Sequence, residues 1–128
     1  MKDYPFFKAT ELQCKCRFKD CKQHGMDDEF MELVNRLREF ELRPLIVTSG
    51  YRCPAYNQIC STTGPDGPHT TGKAIDIADA GETAFQLVQS ALDLGFTGIG
   101  VQQKGPWQGR FIHLDILEGP SRPRIWSY

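Results

Sequence analysis

His69 and Asp76 stand seven residues apart in the stretch GPHTTGKAIDIAD, residues 67–79. His69 falls in a loop rich in glycine and proline, and Asp76 interrupts a short apolar run with the composition of a buried strand. A carboxylate there is either a buried residue held by hydrogen bonds or a ligand of a metal ion. Strand alternation puts Ile75 and Ile77 on one face and Ala74, Asp76 and Ala78 on the other. The two small alanines leave room beside the carboxylate, which suits a site better than a packed core. A third donor comes from RFIHLDIL, residues 110–117, where His113 shares one strand face with Asp115. Two imidazoles and a carboxylate are a donor set that zinc accepts. Three protein ligands leave one position for water, as in catalytic rather than closed zinc sites, and such a site can turn water into a nucleophile towards an amide.

A second group of metal-ligating residue types lies near the N-terminus. Cys14, Cys16, Cys21 and His24 offer four donors within eleven residues. A closed zinc site there would tie down an otherwise irregular segment, with Cys53 replacing His24 if that segment packs near the turn that holds it. The alternative is thiols that stay free or pair as disulfides after release from the cell. Five cysteines cannot all pair within one chain, and a reducing cytosol favours thiols or metal ligands over bridges. Cys60, two helical turns or about 10 Å beyond Cys53, is too far to bridge to it and is expected to be a small buried residue.

The elements that must position these groups are short. Residues 1–26 read as irregular, with a helical piece at 10–13. Asp27 or Asp28 caps a helix in which Phe30, Leu33, Val34 and Leu37 recur at the helical period up to about Phe40, and Pro44 lies past its end. A strand is expected at 45–48, a short helix from Pro54 to about Cys60, and loop at 61–68. Strands at 74–78, 98–102 and 110–117 surround a helix from about Glu82 to Leu94 that Gly95 terminates. Helices first and short strands later indicate the α+β class: a small, mostly antiparallel sheet flanked by about three helices. One domain over residues 1–128, a monomer, is the simplest organisation. A formal net charge of -1 gives no basic excess for nucleic acid, and no apolar stretch could span a bilayer. The N-terminus lacks the pattern of a secretory signal. A protein made in the cytoplasm without a leader would need host lysis or carriage on a phage particle to act outside the cell.

SGYRCPAYN (49–57), GPHTTGKAIDI (67–77), GIGV (98–101) and FIHLD (111–115) resemble, in this order, blocks of the D-Ala-D-Ala zinc peptidase family. That family includes zinc D-Ala-D-Ala carboxypeptidases and phage L-alanyl-D-glutamate endolysins, and it shares its fold with the zinc-bearing domain of hedgehog proteins. The resemblance spans roughly residues 6–126. It implies a hedgehog-like fold, one catalytic zinc on His69, Asp76 and His113, and a peptidoglycan stem peptide as substrate of an endopeptidase or D,D-carboxypeptidase. A second, structural zinc in the cysteine cluster would be an addition to what the resemblance implies. A phage or prophage origin fits the absence of a leader. Arg52 matches a substrate-contacting arginine, whose guanidinium can clamp a carboxylate or stabilise an oxyanion, with Tyr51 packed beneath it.

Two positions depart from the family pattern. Gly67 stands where relatives carry serine, and Arg110 stands where many carry an acidic general base. Asp115 is the best substitute for that base, and it is equally suited to orienting a ligand imidazole; Glu118 lies beyond the strand. Arg110 is then open to substrate binding, and Trp107, Trp126 and Tyr128 to lining the cleft or to core packing. The rival reading is a non-catalytic zinc module that binds cell wall or a protein partner.

Overall fold

A computed structural model of the chain describes residues 2–21, 23 and 25–128. A single turn of helix, α1 (Ala9–Leu12), precedes α2 (Asp28–Glu41). The Asp27 carboxylate accepts the Phe30 N–H at 3.0 Å and so caps α2. Phe30, Met31, Val34 and Leu37 form the buried stripe of that helix. An aspartate cap contributes about 1 kcal/mol. Asp27→Ala is therefore expected to lower the thermal midpoint by roughly 3–5 °C, read by circular dichroism.

Strand β1 (Ile46–Ser49) follows, then α3 (Pro54–Cys60), β2 (Ala74–Ala78), α4 (Gly81–Leu94), β3 (Gly98–Gln102), β4 (Phe111–Asp115) and β5 (Arg124–Ser127). The segment expected to be loop contains two 3-10 turns, Gly64–Asp66 and Pro68–Thr71, and the second carries His69. The sheet order is β1-β2-β4-β3-β5, antiparallel except for β5, which runs parallel to β3. The class is the α+β arrangement expected, with four α-helices among the described residues once the one-turn α1 is included.

Two strand boundaries differ from expectation. The ladder of β1 begins at Ile46, opposite Ala78. Strand β4 ends at Asp115 because the chain turns there, with the Leu117 N–H donating to Asp115 Oδ1 at 3.2 Å. Strand β5 has no counterpart among the expected elements. Its four residues carry no periodic signal, and it exists by pairing with β3.

One sheet face is apolar. Val47, Ile75, Ile77, Ile99, Ile112 and Leu114 are buried in a common core with Val34 and Leu37 of α2 and Leu87 and Ala91 of α4. Phe30 and Phe96 meet edge to face in that core, with ring centroids 6.0 Å apart. The other face is different. Ladder register aligns Ser49, Asp76, His113, Gly100 and Trp126 in one row across all five strands. The adjacent row is Ala74, Asp115, Gly98 and Arg124. The sheet thus buries aliphatic groups on one side and gathers titratable groups on the other. Among the described residues no helix is long and apolar enough to cross a membrane.

Candidate metal centre

Gly72 places His69. It takes a left-handed conformation (φ 76°), and a Cβ there would fall 2.6 Å from the Gly25 carbonyl oxygen. Only glycine lets the His-Thr-Thr-Gly turn press against the strand-like approach to α2, where the Asp27 N–H donates to the Gly72 carbonyl at 2.9 Å. His69, Asp76 and His113 are all buried.

The outer hydrogen bonds decide which way the imidazoles face. His69 Nδ1 donates to the Gly50 carbonyl at 2.7 Å, which leaves Nε2 3.2 Å from Asp76 Oδ1. His113 Nε2 donates to Asp115 Oδ2 at 2.8 Å, which leaves Nδ1 3.1 Å from the same Asp76 oxygen. A carbonyl and a carboxylate accept only, so each ring spends its proton outward and turns a lone pair inward. Two lone pairs and a carboxylate oxygen repel one another in low dielectric unless a cation sits among them. Ligand atoms of all three residues lie within 4.8 Å of one another. This donor set fits zinc. Burial pushes the Asp76 carboxyl up, but His69 and His113 outweigh it and hold Asp76 well below the usual carboxylate range. Burial likewise lowers His113, yet the neighbouring carboxylates of Asp115 and Asp76 raise it overall.

Arg52 closes the other side of Asp76. Its guanidinium donates to Asp76 Oδ2 at 3.2 Å, to Asn57 Oδ1 at 3.1 Å and to Ser49 Oγ at 2.9 Å. Asn57 is fully buried and in turn donates to Thr63 Oγ1 at 2.9 Å. This explains Gly67, since a Cβ there would strike Thr63 Oγ1 and lie 2.5 Å from Asn57 Nδ2. Tyr51, beside Arg52 in sequence, is buried.

Asp115 is 0 % exposed and fully engaged. Besides His113 it accepts two bonds from Arg122, Nε to Oδ1 at 3.0 Å and an Nη to Oδ2 at 2.9 Å. Burial raises the Asp115 carboxyl, but His113 and Arg122 bring it down to about 2. Gly98 makes this possible, because a Cβ at that position would run into the Asp115 carboxylate. Sequence reasoning did not single out Arg122. The available signal was the carboxylate itself: a second acid on the face of β4 needs a cation once it is buried.

The centre opens into a cleft of about 770 Å³. Three guanidiniums line it, those of Arg52, Arg122 and Arg124. Trp126 lies over His113 at 5.1 Å between ring centroids, with Arg122 and Arg124 each 5.2 Å from its ring. Tyr128 also lines the cleft and packs on Phe111. Trp107 does not join them. It is 61 % exposed and stacks against Arg110 at 5.0 Å. Arg110 donates to the Gly105 carbonyl at 3.2 and 3.1 Å and is likewise absent from the cleft wall. Glu118 is exposed past the end of β4.

Cys14, Cys16, Cys21 and Cys53 gather at a second place, whereas His24 lies outside the described residues. Cys60, expected to be buried, is exposed at the end of α3. That helix turns its last residue towards the cleft rim instead of the core.

The Peptidase M15 family profile matches residues 5–115. The chain belongs to the Peptidase M15 family. Peptidases of this family depend on zinc, in keeping with the converging donors at residues 69, 76 and 113. The Peptidase M15 match takes in Arg52, the three-donor centre and the four gathered cysteines, and it stops before Arg122 and β5. Comparison with curated proteins gave no match.

Proposed function

We propose that this Peptidase M15 protein is a zinc-dependent peptidase that hydrolyses peptide bonds in peptidoglycan stem peptides, as an endopeptidase or a D,D-carboxypeptidase. The observation that carries the reading is the pair of imidazoles presenting unprotonated nitrogens to one buried carboxylate at the base of an arginine-lined cleft. His69 Nε2, Asp76 and His113 Nδ1 would hold the ion, whose Lewis acidity polarises a carbonyl and acidifies water. Asp115 and Arg122 keep the His113 ring in its orientation and tautomer. Asp115 has both oxygens occupied and no exposure, so we assign it to orientation and not to proton transfer. Arg52 and Arg124 face the cleft, where guanidiniums can grip the free carboxylates that stem peptides carry.

Asp66 is the other carboxylate of the cleft lining and stands exposed on its rim. We assign the proton-accepting role to it. Asp66→Asn is expected to lower kcat roughly 10²-fold while zinc content stays unchanged. An unaltered rate would send that role elsewhere.

Zinc-loaded protein incubated with peptidoglycan, or with a stem peptide ending in D-Ala-D-Ala, should release new amino groups. A chelator should stop the release. One observation favours a second reading, a non-catalytic zinc module: Arg110 stands at the acidic position of relatives and points away from the cleft. Bound zinc without turnover on either substrate would select that reading.

A further inference from the structure

The sulfurs of Cys14, Cys16, Cys21 and Cys53 lie within 4.8 Å of one another. Cys53 Sγ is 3.7 Å from Cys16 Sγ. A disulfide would need about 2.05 Å. Four thiolates around one tetrahedral zinc, at about 2.3 Å each, sit about 3.8 Å apart. The spacing is therefore that of a shared ion.

The main chain supplies a second, independent observation. One of the four sulfurs accepts a backbone N–H from the residue that carries another. The Cys53 N–H donates to Cys14 Sγ at 3.2 Å. Cys53 itself occupies the N-cap of α3. A thiol packed as a small apolar residue has no need of such an amide donor, whereas a thiolate is stabilised by it. Lys15, Arg17 and Lys19 are interleaved with the first three cysteines in sequence, with Asp20 the one acid among them. That run of positive charge suits a site carrying four thiolates and one divalent cation.

The segment also needs fastening. Between α1 and α2 none of the described residues is in a helix or strand. Yet this segment abuts the functional turn: Leu12, the last residue of α1, accepts the Tyr51 N–H at 2.9 Å, and Cys14 Sγ accepts the Cys53 N–H. One residue past Tyr51, the Arg52 N–H donates to the His69 carbonyl at 3.1 Å. Cys53 comes next.

We propose that Cys14, Cys16, Cys21 and Cys53 form a closed tetrathiolate site for a structural zinc ion, distinct from the three-donor centre, that fastens the N-terminal segment to the turn bearing Arg52. Four protein ligands leave no open position, so the ion orders the chain and takes no part in hydrolysis.

Protein purified under reducing conditions without chelator should carry two zinc ions per chain. His113→Ala should retain one, and its cobalt-exchanged form should show the intense near-ultraviolet thiolate-to-cobalt charge-transfer band. Cys16→Ser should fall from two ions to one and lose that band. Should Cys16→Ser fail to fold, alkylation of the intact zinc protein with iodoacetamide gives the same answer by mass spectrometry. Only the exposed Cys60 should react before zinc is stripped, and all five cysteines afterwards. The proposal is overturned if cobalt-loaded protein lacks the charge-transfer band, or if the four cysteines alkylate as fast as Cys60 with zinc still bound. A disulfide among them in the reduced preparation overturns it too.

Discussion

Asp76→Ala is expected to empty the three-donor centre of zinc and to lower kcat/KM by roughly 10⁴-fold, about 5 kcal/mol of transition-state stabilisation. The size of the effect follows from the position of one side chain. Asp76 Oδ1 faces both imidazoles, and Oδ2 receives Arg52. Removing the carboxylate leaves two neutral donors and a guanidinium aimed at the vacated space, which holds a divalent cation poorly. Asp76→Asn keeps the shape and loses only the charge. It should show nearly the same loss if charge is what matters, with the fold intact by circular dichroism. Metal analysis together with stem-peptide hydrolysis reads both variants. Full zinc occupancy and full turnover in Asp76→Ala would rule out the three-donor centre as the seat of the reaction.

Arg122→Met should unfold more readily than any surface arginine variant, by about 3–5 kcal/mol in denaturant titration. The reason is the burial of its partner. Asp115 has no exposure, and Arg122 supplies two of its charge-assisted hydrogen bonds. With Arg122 gone, a buried carboxylate keeps His113 as its one ring partner. Metal affinity should fall 10- to 100-fold as well, roughly the cost of losing an outer partner of a ligand imidazole. The double replacement Asp115→Leu with Arg122→Met separates the two effects. It should recover much of the stability, because no buried charge is left unpaired, and none of the metal affinity, because the His113 ring is no longer held.

The same pair sets an acid limit. The folded-state value of Asp115, about 2, is below the ordinary carboxyl value. Its stabilising contribution is thus complete above about pH 4 and fades as pH falls towards 2. In Arg122→Met the depression is smaller, so less stability remains to be lost in acid. The gap between the two proteins should narrow between roughly pH 4 and 2 and be widest near neutrality.

Much of this is legible in the amino-acid sequence alone. The boundaries of β2 and β3 coincide with those read from alternation, and α2 carries the expected cap and most of its apolar stripe, with Met31 fully buried where Leu33 is only half-buried. These are local properties, set by neighbours two to four residues away. Alternation also put Asp76 and His113 on open strand faces and set Ile75 and Ile77 opposite, and the ladder pairs Asp76 with His113 directly.

Other features left no local trace. Asp115 shares its strand face with His113 in any reading of FIHLD, but whether it meets water or an arginine depends on where residues 116–123 return. Arg110 and Trp107 sit at suggestive positions and turn to each other outside the cleft. Cys53 meets Cys14 across 39 positions, and β5 is a strand through its partner alone. Periodicity reports which way a side chain faces relative to its own element. What it meets there is fixed by chain return, register and the cost of leaving a charge buried without a counter-charge, and these are properties of the assembled fold.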